Sequence, residues 1–181
     1  MASQLRVDKI LPVDGAPTNG GGGIVQVVSV TKTDTFTATS TSTAQDVTGL
    51  TVNITPKFST SKLLIMVHVA TTAGSDWGAQ ALLLAKVVGG TTSYPFRGNA
   101  SGSATRGTFP VTGSGANNGY PDLLSGSFLD TAGSTNQITY KIQHIDENTN
   151  NNIYINRETY GDSSLGQTVS TSGITIMEVS A

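Results

Sequence analysis

The hydrophobic pattern is densest at Lys62 to Thr72, KLLIMVHVATT. Leu63, Ile65, Val67 and Val69 fall on one side of a pleat, and Leu64, Met66, His68 and Ala70 on the other. A strand sends successive side chains to opposite faces, so both faces of this one are largely apolar. A sheet with one wet face would show apolar positions alternating with polar ones. This strand therefore needs cover on both sides. One cover is the facing sheet of a sandwich; the other has to come from loops, an extra layer or another copy of the chain.

The remaining pattern predicts more strands. Ile24 to Thr31 carries Val25 and Val27 on one face and Ile24, Val28 and Val30 on the other. Thr33 to Thr43 is a threonine–serine run with Phe36 as its one large apolar residue, and reads as an edge strand or surface meander. Asp46 to Thr55 is a strand closed by Pro56, which cannot donate into a ladder. Ala79 to Val88 has a composition open to helix, but its length and the Gly89-Gly90 stop favour a strand. Thr91 to Pro121 is glycine-rich and poor in pattern, and reads as a long loop. Leu123 to Leu129 is a short strand. Asn136 to Ile145 alternates most cleanly, with Ile138, Tyr140, Ile142 and His144 inward. Ile153 and Ile155 are expected to return beside it as a hairpin. Gly173 to Val179 again has two apolar faces. Eight to ten strands joined by turn-rich loops predict an all-β fold, a β-sandwich or jelly roll.

Ahead of the body lies an extended arm. In Met1 to Asn19, Leu5, Val7 and Lys9 alternate with Arg6, Asp8 and Ile10, and two prolines argue against a helix. Gly20 to Gly23 makes a flexible joint. The domain division is thus 1–23 for arm and joint and 24–181 for the body. The arm is either a tail or a docking segment, with Leu5, Val7 and Ile10 as its contact residues.

Composition narrows the function classes. Of 181 residues only 12% are charged, against about 25% in most soluble domains, and the formal net charge is −2. No basic cluster suits nucleic acid. The chain has no cysteine, which removes disulfides and thiolate chemistry. No apolar run approaches the ~20 residues of a membrane-spanning helix, and MASQLRVDKI shows no secretory signal.

Candidate chemistry is sparse. The two histidines, His68 and His144, both lie inside strand patterns, where packing explains them. Asp146, Asn148 and Asn150 imitate the first ligands of a calcium loop, but Asn151 stands where glycine is needed and Arg157 where glutamate is needed. No metal or other cofactor is expected. Acidic residues are few and scattered, which does not suit the carboxylate pair of a glycan-cleaving enzyme. Trp77, Tyr94, Phe96 and Tyr120 lie in segments read as loops. They either stack on a glycan or anchor a protein contact, or else plug the ends of the sandwich.

SQLRVDKI before a glycine joint, GIVQVV, the Thr/Ser run, DVTGLTVNITPKFSTSKLLIMVHV and the closing GITIMEV together resemble segments of marine, including cyanobacterial, phage tail fibres, where such segments form the C-terminal head. The resemblance implies a trimeric β-sandwich or jelly roll on the virion surface. The arm begins at the first methionine with no long shaft before it, which points to a short tail fibre, a tail-tip protein or a capsid decoration protein of head-fibre or cement type. A carbohydrate-binding module is the alternative from another class. The expectations are a non-enzymatic homotrimer on the tail or capsid surface. Its arm would dock on another virion protein. Trp77, Tyr94, Phe96 and Tyr120 would face a host glycan or protein, and Leu64, Met66, His68, Met177 and Val179 would lie at the subunit contact.

Overall fold

The computed structural model describes residues 23–39, 41–74, 79–111, 121–146, 152–159 and 168–180. They form eleven strands and no helix: β1 (Ile24–Lys32), β2 (Phe36–Ala38), β3 (Gln45–Ile54), β4 (Lys62–Ala73), β5 (Gln80–Val88), β6 (Thr91–Ser93), β7 (Phe109–Val111), β8 (Asp122–Thr131), β9 (Ile138–Asp146), β10 (Ile153–Ile155) and β11 (Ser172–Val179). Every pairing between them is antiparallel. Apart from Gly23, the arm and joint lie outside the described residues.

Two sheets face each other. Sheet I is built on β4, which pairs with β8 over Lys62–Thr71, with β11 over Lys62–His68 and with β10 over Thr71–Ala73. A strand has two edges. Since β8 and β11 bond the same stretch of β4, they lie on opposite sides, and β10 continues the edge where β11 stops. The order across the sheet is therefore β1-β11-β4-β8, with β2 beyond β10. Sheet II runs β3-β9-β5, and both β6 and β7 pair with the outer edge of β5.

The core is what the alternation dictates. Leu63, Ile65, Val67 and Val69 of β4, with Ile174 and Ile176 of β11, pack against Val52, Ile54, Leu82, Leu84, Ile138 and Ile142 of sheet II, all buried. Fully burying one such side chain stabilises the fold by about 1.5–3 kcal/mol. At the β8 side the gap is wedged by aromatics. Phe128 meets Phe96 at 4.7 Å and Phe109 at 5.8 Å between ring centroids. Beside them Asp130 accepts from the Tyr140 hydroxyl at 2.6 Å and pairs with Lys86 Nζ at 2.7 Å, clasping β8 to both β9 and β5.

Four expectations from the sequence are corrected. Ile153 and Ile155 do not form a hairpin with β9; β10 crosses to sheet I and pairs with β2 and β4. The segment read as one long loop, 91–121, contains β6 and β7, which line the edge of β5. The short strand at 123–129 extends to ten residues, because β4 offers it a partner along Lys62–Thr71. Ile24 does not share a face with Val28 and Val30. A bulge between Ile24 and Gln26 sets it opposite Val179, on the outer side.

Several ionisable groups are set by this packing. His144 is 4% exposed, and burial holds its pKa below the ordinary 6.5 while the charge of Asp146 acts the other way. Glu178 is buried at the base of the sandwich. Burial alone would raise its pKa, but hydrogen bonds from Gln26 and the Phe58 and Lys57 amides outweigh that and hold it below 4.5. Burial likewise pushes Asp130 up, and Lys86, Tyr140 and the Thr131 amide bring it below 3.8. The signs agree. As pH falls through 6.5 the unfolded chain takes up the histidine proton before the folded one does, so stability declines from there. The carboxylates stabilise fully above their unfolded values, and that contribution is lost as pH falls through their lowered folded values. A thermal scan between pH 3.5 and 8 should show the melting temperature dropping in two stages, one below about 6.5 and a second below about 4.5. His144→Gln should remove the first stage only. A melting temperature that rises on acidification from pH 7 to 5 would contradict this assignment.

Candidate interaction surface

The two outer faces of the sandwich are treated differently by the chain. Sheet II covers its own. Ala81, Leu83 and Ile145 are buried there beneath Ala44 and Tyr94. The Tyr94 hydroxyl donates to Gln143 Oε1 at 2.7 Å, and Gln143 donates in turn to Asp46, which also pairs with Lys141. The chain between β6 and β7 returns along β5. Thr108 N donates to Leu82 O, and Thr108 Oγ1 accepts from Leu84 N.

Sheet I has no such cover among the described residues. The register assembles its outer face row by row. Val27, Met177, Leu64 and Leu129 stand opposite one another across β1, β11, β4 and β8, an apolar row four strands wide. The next row is Ser29, Thr175, Met66 and Ser127, and the one after is Thr31, Gly173, His68 and Ser125. Below the apolar row lie Ile24, Val179, Lys62 and Thr131. Val27 is 53% exposed, Ile24 61%, Leu123 65% and Leu129 62%, while Leu64, Met66, Met177 and Val179 are half-buried. Contiguous exposed apolar surface of this kind marks an interaction site more often than scattered leucines do.

Gly173 gives His68 its place on this face. A Cβ there would come within 2.8 Å of His68 Cε1 and 3.0 Å of Val30 O, so a side chain at 173 would displace the exposed imidazole from across the strand and crowd the Val30 carbonyl. His68 is exposed, at the polar end of the patch.

The residues singled out from the sequence fall into three groups. Leu64, Met66, His68, Met177 and Val179 come together on the outer face of sheet I, brought there by the β4–β11 register. Sequence reasoning missed Ile24, Val27, Leu123 and Leu129. The shared parity of Leu123 and Leu129 was visible, but only the pairing of β8 with β4 sets Leu129 opposite Leu64 and Leu123 opposite Ala70, on the same outer face. Tyr94 and Phe96 are both half-buried, Tyr94 over sheet II and Phe96 on Phe128. Trp77, Tyr120, Leu5, Val7 and Ile10 lie outside the described residues.

Among the described residues no group of three His, Asp or Glu side chains is placed to hold an ion. Asp146 is buried beside the inward-facing His144, and its amide donates to Thr41 O.

No protein-family model matches the sequence, and no curated protein matches it. Among solved structures, the chain is similar in fold to the infectious bursal disease virus VP2 subviral particle. Identity is 16% and the TM-score 0.40, over 99% of this chain and 37% of that one. It is also similar to a structure of the infectious bursal disease virus Gx strain, at 11% identity and TM-score 0.41, over 97% of this chain and 46% of that one. The chain thus spans less than half of either. Both likenesses concern the arrangement of strands alone.

Proposed function

We propose that this protein is a phage virion structural protein. In this reading it is a short tail fibre or tail-tip protein whose copies associate as a trimer through the outer face of sheet I and whose loops meet the host surface. The observation that carries the reading is the contrast between the two outer faces. Among the described residues, Tyr94, Ala44 and the β6–β7 segment cover sheet II, and an apolar row four strands wide on sheet I is left without such cover. A homotypic contact covers such a face without a dedicated partner, and assembly in small symmetric numbers is the common outcome. The resemblance of GIVQVV, DVTGLTVNITPKFSTSKLLIMVHV and GITIMEV to tail-fibre heads supports the virion setting.

Attachment in this reading needs no chemistry. Several copies held together present several weak contacts at once, and the second contact forms at a high effective concentration. The loops are the side that remains free for a host glycan or protein once the sheet faces are packed.

Labelling purified particles with an antibody against the body of the protein tests the proposal. Label at the tail, together with inhibition of adsorption by the free protein, is the expected result. Label over the capsid with no effect on adsorption would replace attachment with decoration. Particles without label would remove the virion role, and selective binding on a glycan array would then favour a carbohydrate-binding module.

A further inference from the structure

Among the described residues the far edge of sheet I is open. β8 bonds β4 along one side through ten register pairs without a bulge, and no described residue bonds its other side. Unpaired strand edges are usually blunted by lysine, proline, a bulge or a covering loop. β8 reads DLLSGSFLDT, with no lysine and no proline. Of its two charges, Asp122 stands at the first position and Asp130, next to last, is turned inward and paired with Lys86 and Tyr140. Leu123 and Leu129 stand exposed on this edge strand, on the same side as the apolar row. The edge thus offers about 30 Å of free backbone donors and acceptors flanked by two apolar side chains, the requirements for adding a strand.

The chain holds a segment of matching character. Leu5 and Val7 alternate with Arg6 and Asp8, the period-2 pattern that suits addition as a strand. It reaches the body at Gly23, whose carbonyl accepts from Ser180 N at the rim of sheet I, next to Ile24 and Val179. Twelve residues separate Ile10 from Gly23, enough to span about 40 Å when extended.

We propose that the arm of one copy adds as a strand to the open edge of β8 in a neighbouring copy, extending the sheet through which the copies associate. The proposal rests on the self-association argued above. The neighbour is favoured over the arm's own body by strand direction. The arm is rooted below β1, three strand spacings or about 14 Å from β8. Ile24, Val179, Lys62 and Thr131 share one row, so the N-terminus of β1 and the C-terminus of β8 lie at the same end. By the short route an arm folding back onto its own β8 would run parallel to it, while every pairing among the described strands is antiparallel; antiparallel addition to its own edge would draw the linker to more than about 30 Å, most of its extended reach. From a neighbour packed on the outer face, the arm is rooted at the rim of the contact and antiparallel addition is open to it.

Because the chain has no cysteine, introduced thiols report without background. Full-length Val7→Cys is mixed with full-length Ser125→Cys, Ser127→Cys or Leu129→Cys and oxidised gently. The expected result is a cross-linked dimer that forms in the mixture far faster than in either protein alone, at one β8 position in preference to the others. In the double variant Val7→Cys with that same β8 position, linked dimers and trimers should appear. A linked monomer alone would place the arm on its own body and overturn the proposal, as would no preferential link at any position. Alongside, full-length Leu5→Asp with Val7→Asp should weaken self-association about 100-fold by sedimentation, with the melting profile of the body unchanged. Unchanged association of that variant removes the role of the arm and leaves the self-association reading standing. A wild-type chain that stays monomeric at tens of micromolar removes both.

Discussion

Replacing Asn156 by Ala is expected to cost about 3–5 kcal/mol, among the largest effects of any single side chain in this fold. Asn156 sits where the last residue of β10 and the first residues of β11 meet along one edge of β4. Gly173 pairs with His68 and Ile155 with Thr71, so the ladder skips Val69 and Ala70 on that edge. Asn156 and Ser172 close the gap. Asn156 N donates to Ala70 O, and Ala70 N donates to Ser172 Oγ. Asn156 Nδ2 donates to Lys32 O at 3.0 Å and Asp34 O at 2.9 Å, while its Oδ1 accepts from Ser172 Oγ at 2.6 Å. The residue is fully buried and holds φ at +61°. Alanine would leave the Lys32 carbonyl and the Ser172 hydroxyl short of partners in buried surroundings and the Asp34 carbonyl in a part-buried one, at about 1–3 kcal/mol for each buried group in isolation. It would also adopt the left-handed region less readily than asparagine. Asn156→Gly relieves the second cost and not the first, so it should recover only part of the loss. Equilibrium denaturation checks this, and the melting temperature of the alanine variant should fall by roughly 10 °C. A loss under about 1 kcal/mol would show that the node is not the tie between the strand pairs that its bonding suggests.

The second large effect is expected on assembly rather than on folding. Leu64 and Met177 are direct cross-strand neighbours at the centre of the apolar row, each half-buried within one chain. Replacing both with Lys should leave the body folded, because a lysine stem lies along apolar surface while its ammonium reaches water. In a contact between copies that route to water is closed, and two like charges are held side by side without partners. Each should cost at least about 2 kcal/mol of association, or roughly 1000-fold for the pair. Light scattering at micromolar concentration should change from trimer to monomer, with near-native melting. A wild-type protein that is monomeric, or a double variant that remains trimeric, would show that the face is covered in some other way.

Much of the architecture was legible in the alternation of apolar residues. β1, β4, β9 and β11 lie where strand patterns run for seven residues or more, β3 was read from its apolar positions before Pro56 and β5 from its length and the Gly89-Gly90 stop, and the doubly apolar character of β4 and β11 already singled out Leu64, Met66 and Met177. What failed was pairing. Ile153 and Ile155 follow β9 closely in sequence, so a hairpin was the economical expectation. The vacant edge of β4 beyond His68 was the stronger partner, and nothing local to β10 announces it. The same is true of Thr91–Ser93 and Phe109–Val111, three-residue strands too short for a pattern and ordered by the edge of β5. Asn156 lies in an asparagine-rich stretch where its neighbours read alike. Only its position between two strand ends distinguishes it.

The sequence by itself determined that this chain forms sheets, which strands are central, and that one of them is apolar on both sides, because these follow from side-chain parity within a single strand. The tertiary structure decided which outer face the chain covers for itself. Tyr94 could reach the outside of sheet II because the chain between β6 and β7 is threaded back along β5. No described segment lies over sheet I, and the bulge at Ile24 together with the long pairing of β8 adds Ile24, Leu123 and Leu129 to its bare side. Which residues share a face across four strands is a matter of register between distant segments, and register is set by where loops and bulges let each strand stop.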